Sequence, residues 1–308
     1  MDVEKSYFLG TITLDNDTRL EIKKSEYLEL LKSKVTLTTA LNIEEKYDVA
    51  LSNYLEFEKE QLTLTLDNLV NSIHYDYHQS YKVLSTLNRR LVNFLSTAKQ
   101  YTELVAGLSA KCTTNESETK SIITALLRKQ YDDHLDYRMM ESLRNHVNHY
   151  GLAVHTISTP SKWTLTEQQK TDKLVFNLEI YAEKSALAEN SSFKRKVLNE
   201  LPEKFDLKKG ARSYMGSISR VHEEFRQLTS ESVGSARETI ETYLNSYGRL
   251  NDETSFAVGA FREEKGKPTE SPIMLDLHWD DVRLGLLKRN VSITNMNRRH
   301  ISSALVTK

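Results

Sequence analysis

The sequence predicts a mainly α-helical protein with a small β component, and three observations predict it. Only 10 Gly and 4 Pro occur in 308 residues, so little in the chain interrupts a helix. Apolar residues recur at three- and four-residue steps through most of the first half. Short alternating runs appear near residue 10 and again between 163 and 277, where strands fit better than helices.

Taken in order, Phe8, Ile12 and Leu14 alternate with smaller or polar residues. Asp15-Asn16-Asp17 supplies turn chemistry, and Leu20 and Ile22 resume the alternation, which reads as a β-hairpin in a lead-in covering 1–41. From Asn42 the period changes to helical, through Tyr47, Leu51, Tyr54, Leu62, Leu66, Leu69 and Ile73. Leu62-Thr63-Leu64-Thr65-Leu66 has period two, but the helical pattern on both sides assigns it to the helix. A second helix follows with Tyr81, Leu84, Leu87, Leu91, Leu95, Tyr101, Leu104 and Leu108 on its apolar side. Polar residues from Thr113 to Thr119 break the pattern, and Asn115 with Glu118 forms a capping box. A third helix carries Ile123, Leu127, Tyr131, Leu135, Met139, Leu143 and Val147, with Gly151 as its C-cap. Three long helices with short polar connections predict an antiparallel bundle over 42–159.

After Pro160 the composition shifts, and 160–308 reads as a mixed α/β extension. Trp163–Thr166 and Leu174–Tyr181 read as strands, as do Phe256–Phe261 and Ile273–Leu277. Helical spacing returns near Phe193, from Tyr214 to Tyr247, and from Trp279 to Leu305.

The net charge of −1 argues against a sequence-independent nucleic-acid coat, which needs a basic excess, while leaving room for a local basic cleft. The single cysteine, Cys112, excludes an intramolecular disulfide and a cysteine-rich zinc site. The first residues lack the pattern of a signal peptide, and no apolar run reaches membrane-spanning length, so the expected location is cytoplasmic.

One stretch carries chemistry: Leu143-Arg144-Asn145-His146-Val147-Asn148-His149-Tyr150-Gly151. On a helix, Asn145 and His149 lie one turn apart on a shared face, Arg144 lies to one side, and Leu143 and Val147 point elsewhere. These residue types suit RNA cleavage by the substrate's own 2′-hydroxyl. Histidine is the natural general acid or base near neutrality. Arginine is a permanently charged clamp for phosphorane oxygens, and asparagine orients by hydrogen bonding.

Arg144-Asn145, three residues, then His149 resembles the HEPN superfamily, whose hallmark is Arg, four to six residues, then His, with a polar residue directly after the Arg. The resemblance covers about 42–155. It implies a HEPN-like antiparallel bundle, a metal-independent endoribonuclease leaving a 2′,3′-cyclic phosphate, and a homodimer whose motifs meet across a cleft. It further implies a toxin or defence effector, with an antitoxin or regulatory protein as possible partner. Catalysis is expected from Arg144, Asn145 and His149, RNA contact from His146, Tyr150 and His155, and no cofactor or metal is implied. In the family branch that is inactivated through a tyrosine two residues after the histidine, that place is filled here by Gly151. Two other readings use the same residues: a silent HEPN-like module that binds a nucleotide or partner protein, and a structural helical protein in which Arg144 pairs with Glu141 and His149 caps a helix end.

Other clusters have blander readings. His74 and His78 sit at i, i+4 but lack the glutamate of a metalloprotease helix. Asp132, Asp133 and His134 fit a solvated helix face. The basic runs at Lys194-Arg195-Lys196, Lys208-Lys209 with Arg212, Lys288-Arg289 and Arg298-Arg299-His300 fit ordinary surface.

Overall fold

The structure, a computed structural model, describes residues 5–12, 18–71, 76–250, 257–299 and 301. The described residues are mainly helical with small antiparallel sheets. In chain order the elements are β1 Lys5–Thr11, β2 Leu20–Glu21, α1 Lys24–Asn71, α2 Tyr77–Lys111, α3 Glu116–Asp133 and α4 Leu135–His149. Next come β3 Thr156–Ser158, β4 Ser161–Leu165, β5 Thr171–Phe176, β6 Glu179–Glu183, α5 Lys184–Ala188, α6 Arg195–Glu200 and β7 Lys204–Asp206. The rest are α7 Leu207–Gly248, β8 Val258–Glu264, β9 Lys267–Pro268, β10 Ile273–Met274 and α8 His278–Arg289, then a 3-10 turn at Met296–Arg298.

Two compact units each gather three stretches of chain. The first takes 1–45, 104–124 and 224–291, and the second takes 46–103, 125–223 and 292–308. Four of the five boundaries between them fall inside helices, and none coincides with the sequence boundaries at 41/42 and 159/160. The first unit holds a sheet in the order β10-β8-β1-β2, with β9 on β8. Phe8 and Phe261 face each other across β1 and β8 and stack at 5.2 Å. Asp280 is wholly buried there and held by Arg283 and Arg237. The second unit holds the sheet β3-β6-β7 and the hairpin β4-β5. Its core is aromatic: Tyr47 stacks on the His222 ring at 3.8 Å, Phe94 packs at a tilt against Tyr54, and Phe94 and Tyr214 meet edge to face.

Several elements differ from the sequence reading. The first helix begins at Lys24 and takes in much of the 1–41 lead-in. Tyr27, Leu30, Leu37, Ala40 and Ile43 form its buried stripe, which polar Ser33 and Thr36 disguise by being buried within it. The Leu62–Leu66 stretch is helical, and the Thr63 and Thr65 hydroxyls bond back to the carbonyls of Lys59 and Gln61. Of the N-terminal hairpin, β1 pairs with β2 only at Phe8 and Leu9, in mid-strand, and with β8 along its whole length; Leu14 and the Asp15–Asp17 turn lie outside the described residues.

The helix read through 123–147 is two. Asn115 and Glu118 do start α3, through a mutual side-chain contact of 2.6 Å. The break falls at His134, whose backbone is extended. Arg138 reaches back to the carbonyls of Tyr131 and Asp132, satisfying the end of α3 and fixing the break. Leu174–Tyr181 likewise divides into β5, an exposed hairpin strand, and β6, half buried between β3 and β7. The amide of Asn177 turns to the carbonyl of Pro160 at the division. The last helix stops at Arg289, where the chain leaves helical geometry at Asn290; residues 302–308 lie outside the described residues. Among the described residues no helix is long and apolar enough to cross a membrane.

Candidate functional site

The motif lies on α4, in the second unit. Tyr137, Met139, Met140, Leu143 and His146 turn inward, so α4 has a firm apolar attachment and an outer face carrying Asn145, Asn148 and His149. The helix ends without a glycine cap. Tyr150 is the C-cap, and the amides of Tyr150 and Gly151 both donate to the His146 carbonyl. Gly151 does not adopt the left-handed conformation expected of it; a Cβ there would lie 3.4 Å from His146 Nε2.

The chain beyond α4 is clamped by Asn88 of α2, which is 4% exposed. Its Oδ1 accepts the amides of Ala153 at 2.8 Å and Val154 at 2.9 Å, and its Nδ2 donates to the carbonyls of Leu84 and Val154. Sequence reasoning missed this residue. An asparagine within the Leu84, Leu87, Leu91 stripe was the available signal, because a polar group there must find partners.

Charges are distributed unequally along α4. Glu141 takes Lys99 Nζ at 2.7 Å and the Tyr214 hydroxyl, so it does not pair with Arg144. Burial, then Glu141, holds the Tyr214 phenol well above its usual pKa, while Arg144 pulls the other way. Arg144 itself is half buried, with no carboxylate in ion-pair range among the described residues. Its Nη1 meets Asn145 Oδ1 at 3.3 Å, and its Nε is buried without a partner. By contrast Arg90, Arg138, Arg212, Arg226, Arg237 and Arg283 each hold a carboxylate.

The three histidines divide sharply. His149 is exposed at the helix end, next to Tyr150, which is 54% exposed. His146 is 2% exposed, with its Nδ1 at 3.1 Å from Asn190 Nδ2 and the Phe193 ring beside it. His155 is half buried, and its Nδ1 accepts the amide of Glu183 at 3.0 Å. Both pKa values are lowered, chiefly by burial, with the backbone of Leu152 pulling the other way. Arg144, Asn145, His149 and Tyr150 thus reach the surface at the end of α4, while His146 and His155 brace the chain behind it.

His74 lies outside the described residues, and His78 stands in α2. Among the described residues no three His, Cys, Asp or Glu are grouped to share a metal ion. Asp133 and His134 mark the α3–α4 break and line a cleft at the start of α4. Compared with models of known families, with curated proteins and with solved structures, the chain matches none.

Proposed function

We propose that the second unit carries a metal-independent endoribonuclease centre of the HEPN type, within a bundle of long helices, and that Arg144, Asn145 and His149 are its working residues. The observation that carries this reading is Arg144: a half-buried guanidinium, unneutralised by any described carboxylate, beside exposed Asn145 and His149. A guanidinium that is half in solvent, with its Nε lacking an acceptor, can take an anion supplied from outside. A phosphodiester supplies one.

In the proposed reaction an imidazole takes the proton of the substrate 2′-hydroxyl, and O2′ attacks phosphorus. The P–O5′ bond breaks, the departing O5′ receives a proton, and the 2′,3′-cyclic phosphate remains. Arg144 stabilises the charge that grows on the phosphorane oxygens, and Asn145 orients the guanidinium through its Oδ1. Tyr150 offers a ring on which an unpaired base can stack.

Helical geometry favours a two-copy centre. Five residues on a helix turn through about 140° beyond a full circle, so Arg144 and His149 leave one α4 in different directions. Two α4 helices facing across a cleft place the Arg144 of one copy beside the His149 of the other.

Mixing single variants tests this. Arg144→Ala alone should lose about 10²-fold or more in rate, as removal of one oxyanion donor does. His149→Ala should lose a comparable factor. An exchanged mixture of the two should regain roughly a quarter of the wild-type rate, because half its dimers are mixed and each has one intact centre. A mixture no more active than its components would contradict the shared centre.

A further inference from the structure

We propose that the cavity between the start of α2 and β3 is a subsite for one unpaired base of the RNA substrate, with the Tyr77 and Tyr81 rings as its stacking platform. This subsite rests on the ribonuclease reading and adds to it what the centre selects: single-stranded RNA that carries a base a few nucleotides from the cut. The cavity encloses about 280 Å³ and lies wholly within the second unit, as the motif does. Pockets for drug-sized ligands span roughly 300–1,000 Å³, so this one suits a small guest of about the size of one base.

Helical spacing builds the platform. On α2, Tyr77, Tyr81, Leu84, Leu87 and Leu91 share one face at three- and four-residue steps. Leu87 and Leu91 are wholly buried, Leu84 is half buried, Tyr81 is 62% exposed and Tyr77 is 90% exposed. The apolar stripe therefore runs past the end of the core and comes out at the cavity. Both residues that it carries into solvent are aromatic. Single apolar residues at a surface are ordinary, but two rings one turn apart beside an apolar hollow form a patch. A tyrosine offers a flat face while its hydroxyl stays in water.

The other wall is held rigid from behind. Ile157 of β3 pairs with Ile180 of β6. His155 is pinned because its Nδ1 accepts the Glu183 amide at 3.0 Å. A wall on a paired strand is in place before a guest arrives.

The lining decides the chemical class. None of its nine residues is Lys, Arg, Asp or Glu, in a chain of which 28% is charged. Burial holds His155 below its usual pKa, which leaves its ring neutral as well. A phosphate, carboxylate or ammonium group would lose hydration here and gain no counter-charge. An uncharged flat ring with polar edges is matched instead. Its faces meet aromatic and aliphatic groups, and its edges meet Ser80 and Thr159. A nucleobase is such a ring.

The cavity also lies close to the proposed centre. Tyr150 stands 5.2 Å from His146, and His146 stands 6.3 Å from His155, ring centre to ring centre. A base on Tyr150 and a base in the cavity are thus a few nucleotides apart, at roughly 3.4 Å of rise for each stacked nucleotide. A duplex keeps its bases in the stack and offers them to neither ring.

Fluorescence anisotropy with the full chain tests the inference, using labelled short RNA strands whose 2′-O-methyl sugars block attack through O2′. One strand carries bases and the other is abasic throughout. Wild type should bind the base-bearing strand about tenfold or more tightly than the abasic one, and more tightly than the same strand in a duplex. Tyr77→Ala with Tyr81→Ala, at two exposed positions, should lose about fivefold or more on the base-bearing strand, with abasic binding and melting temperature unchanged. Tyr77→Phe with Tyr81→Phe, which keeps both rings, should bind as wild type does. Cleavage of the unmodified strand reports on the ribonuclease reading separately. Cleavage by the alanine variant at the wild-type KM would overturn the subsite and spare that reading. Base-dependent binding that the alanine variant loses, without cleavage by wild type, would support the subsite and overturn that reading. Equal binding of base-bearing and abasic strands by wild type, or undiminished base-bearing affinity in the alanine variant, would overturn the inference.

Discussion

His146 and His149 sit one helical turn apart yet meet opposite surroundings. Asn190 and Phe193 close over His146, while His149 stays in solvent. The spacing of Arg144, Asn145 and His149 was legible in the sequence because it depends only on helix geometry. The inward role of His146 and His155 was not, because Asn190 and Glu183 arrive from 44 and 28 residues along the chain. Burial lowers the pKa of both inner rings, which are therefore neutral in the fold and take up protons more readily when unfolded. Their contribution is present above the unfolded value near 6.5 and is lost as the pH falls through it toward the folded values. Urea unfolding between pH 7.5 and 5 should show stability falling below about pH 6.5, by up to about 1.4 kcal/mol per pH unit for each histidine. Replacing His146 with glutamine should flatten that slope, and an unchanged slope would remove His146 from the account.

At the level of elements, long helices were readable because their apolar period persists for many turns. Their breaks were not. Arg138 ends α3 by bonding carbonyls six and seven residues before it, and no local composition announces that. The turn between β5 and β6 is hidden in the same way, since Leu174, Phe176, Leu178 and Ile180 keep one alternation through two strands. The position of the α4 end depends on Asn88, which reaches it from α2. Asn88→Ala leaves the amides of Ala153 and Val154 buried without that acceptor. It should cost about 2–4 kcal/mol, read from the urea midpoint, as two stranded buried donors do. A loss under about 1 kcal/mol would mean that α4 is held without the clamp.

At the level of the whole molecule, the chain is nearly neutral, and at least eight of its 17 arginines hold carboxylates. Arg144 differs in being half buried with no carboxylate partner among the described residues. The sequence showed this position through a motif of three residues. The division into two units was not visible there, since each is assembled from three separate stretches threaded by the same helices.

The most direct test of the central claim is to incubate the chain with labelled tRNA and mRNA in EDTA, beside His149→Ala and an RNA carrying 2′-deoxy sugars at the cut positions. The account predicts cleavage to 2′,3′-cyclic phosphate ends by the wild type, a loss of about 10²-fold or more in the variant, and resistance of the deoxy sugars. Intact RNA with the wild type, or equal cleavage by wild type and His149→Ala, would contradict it.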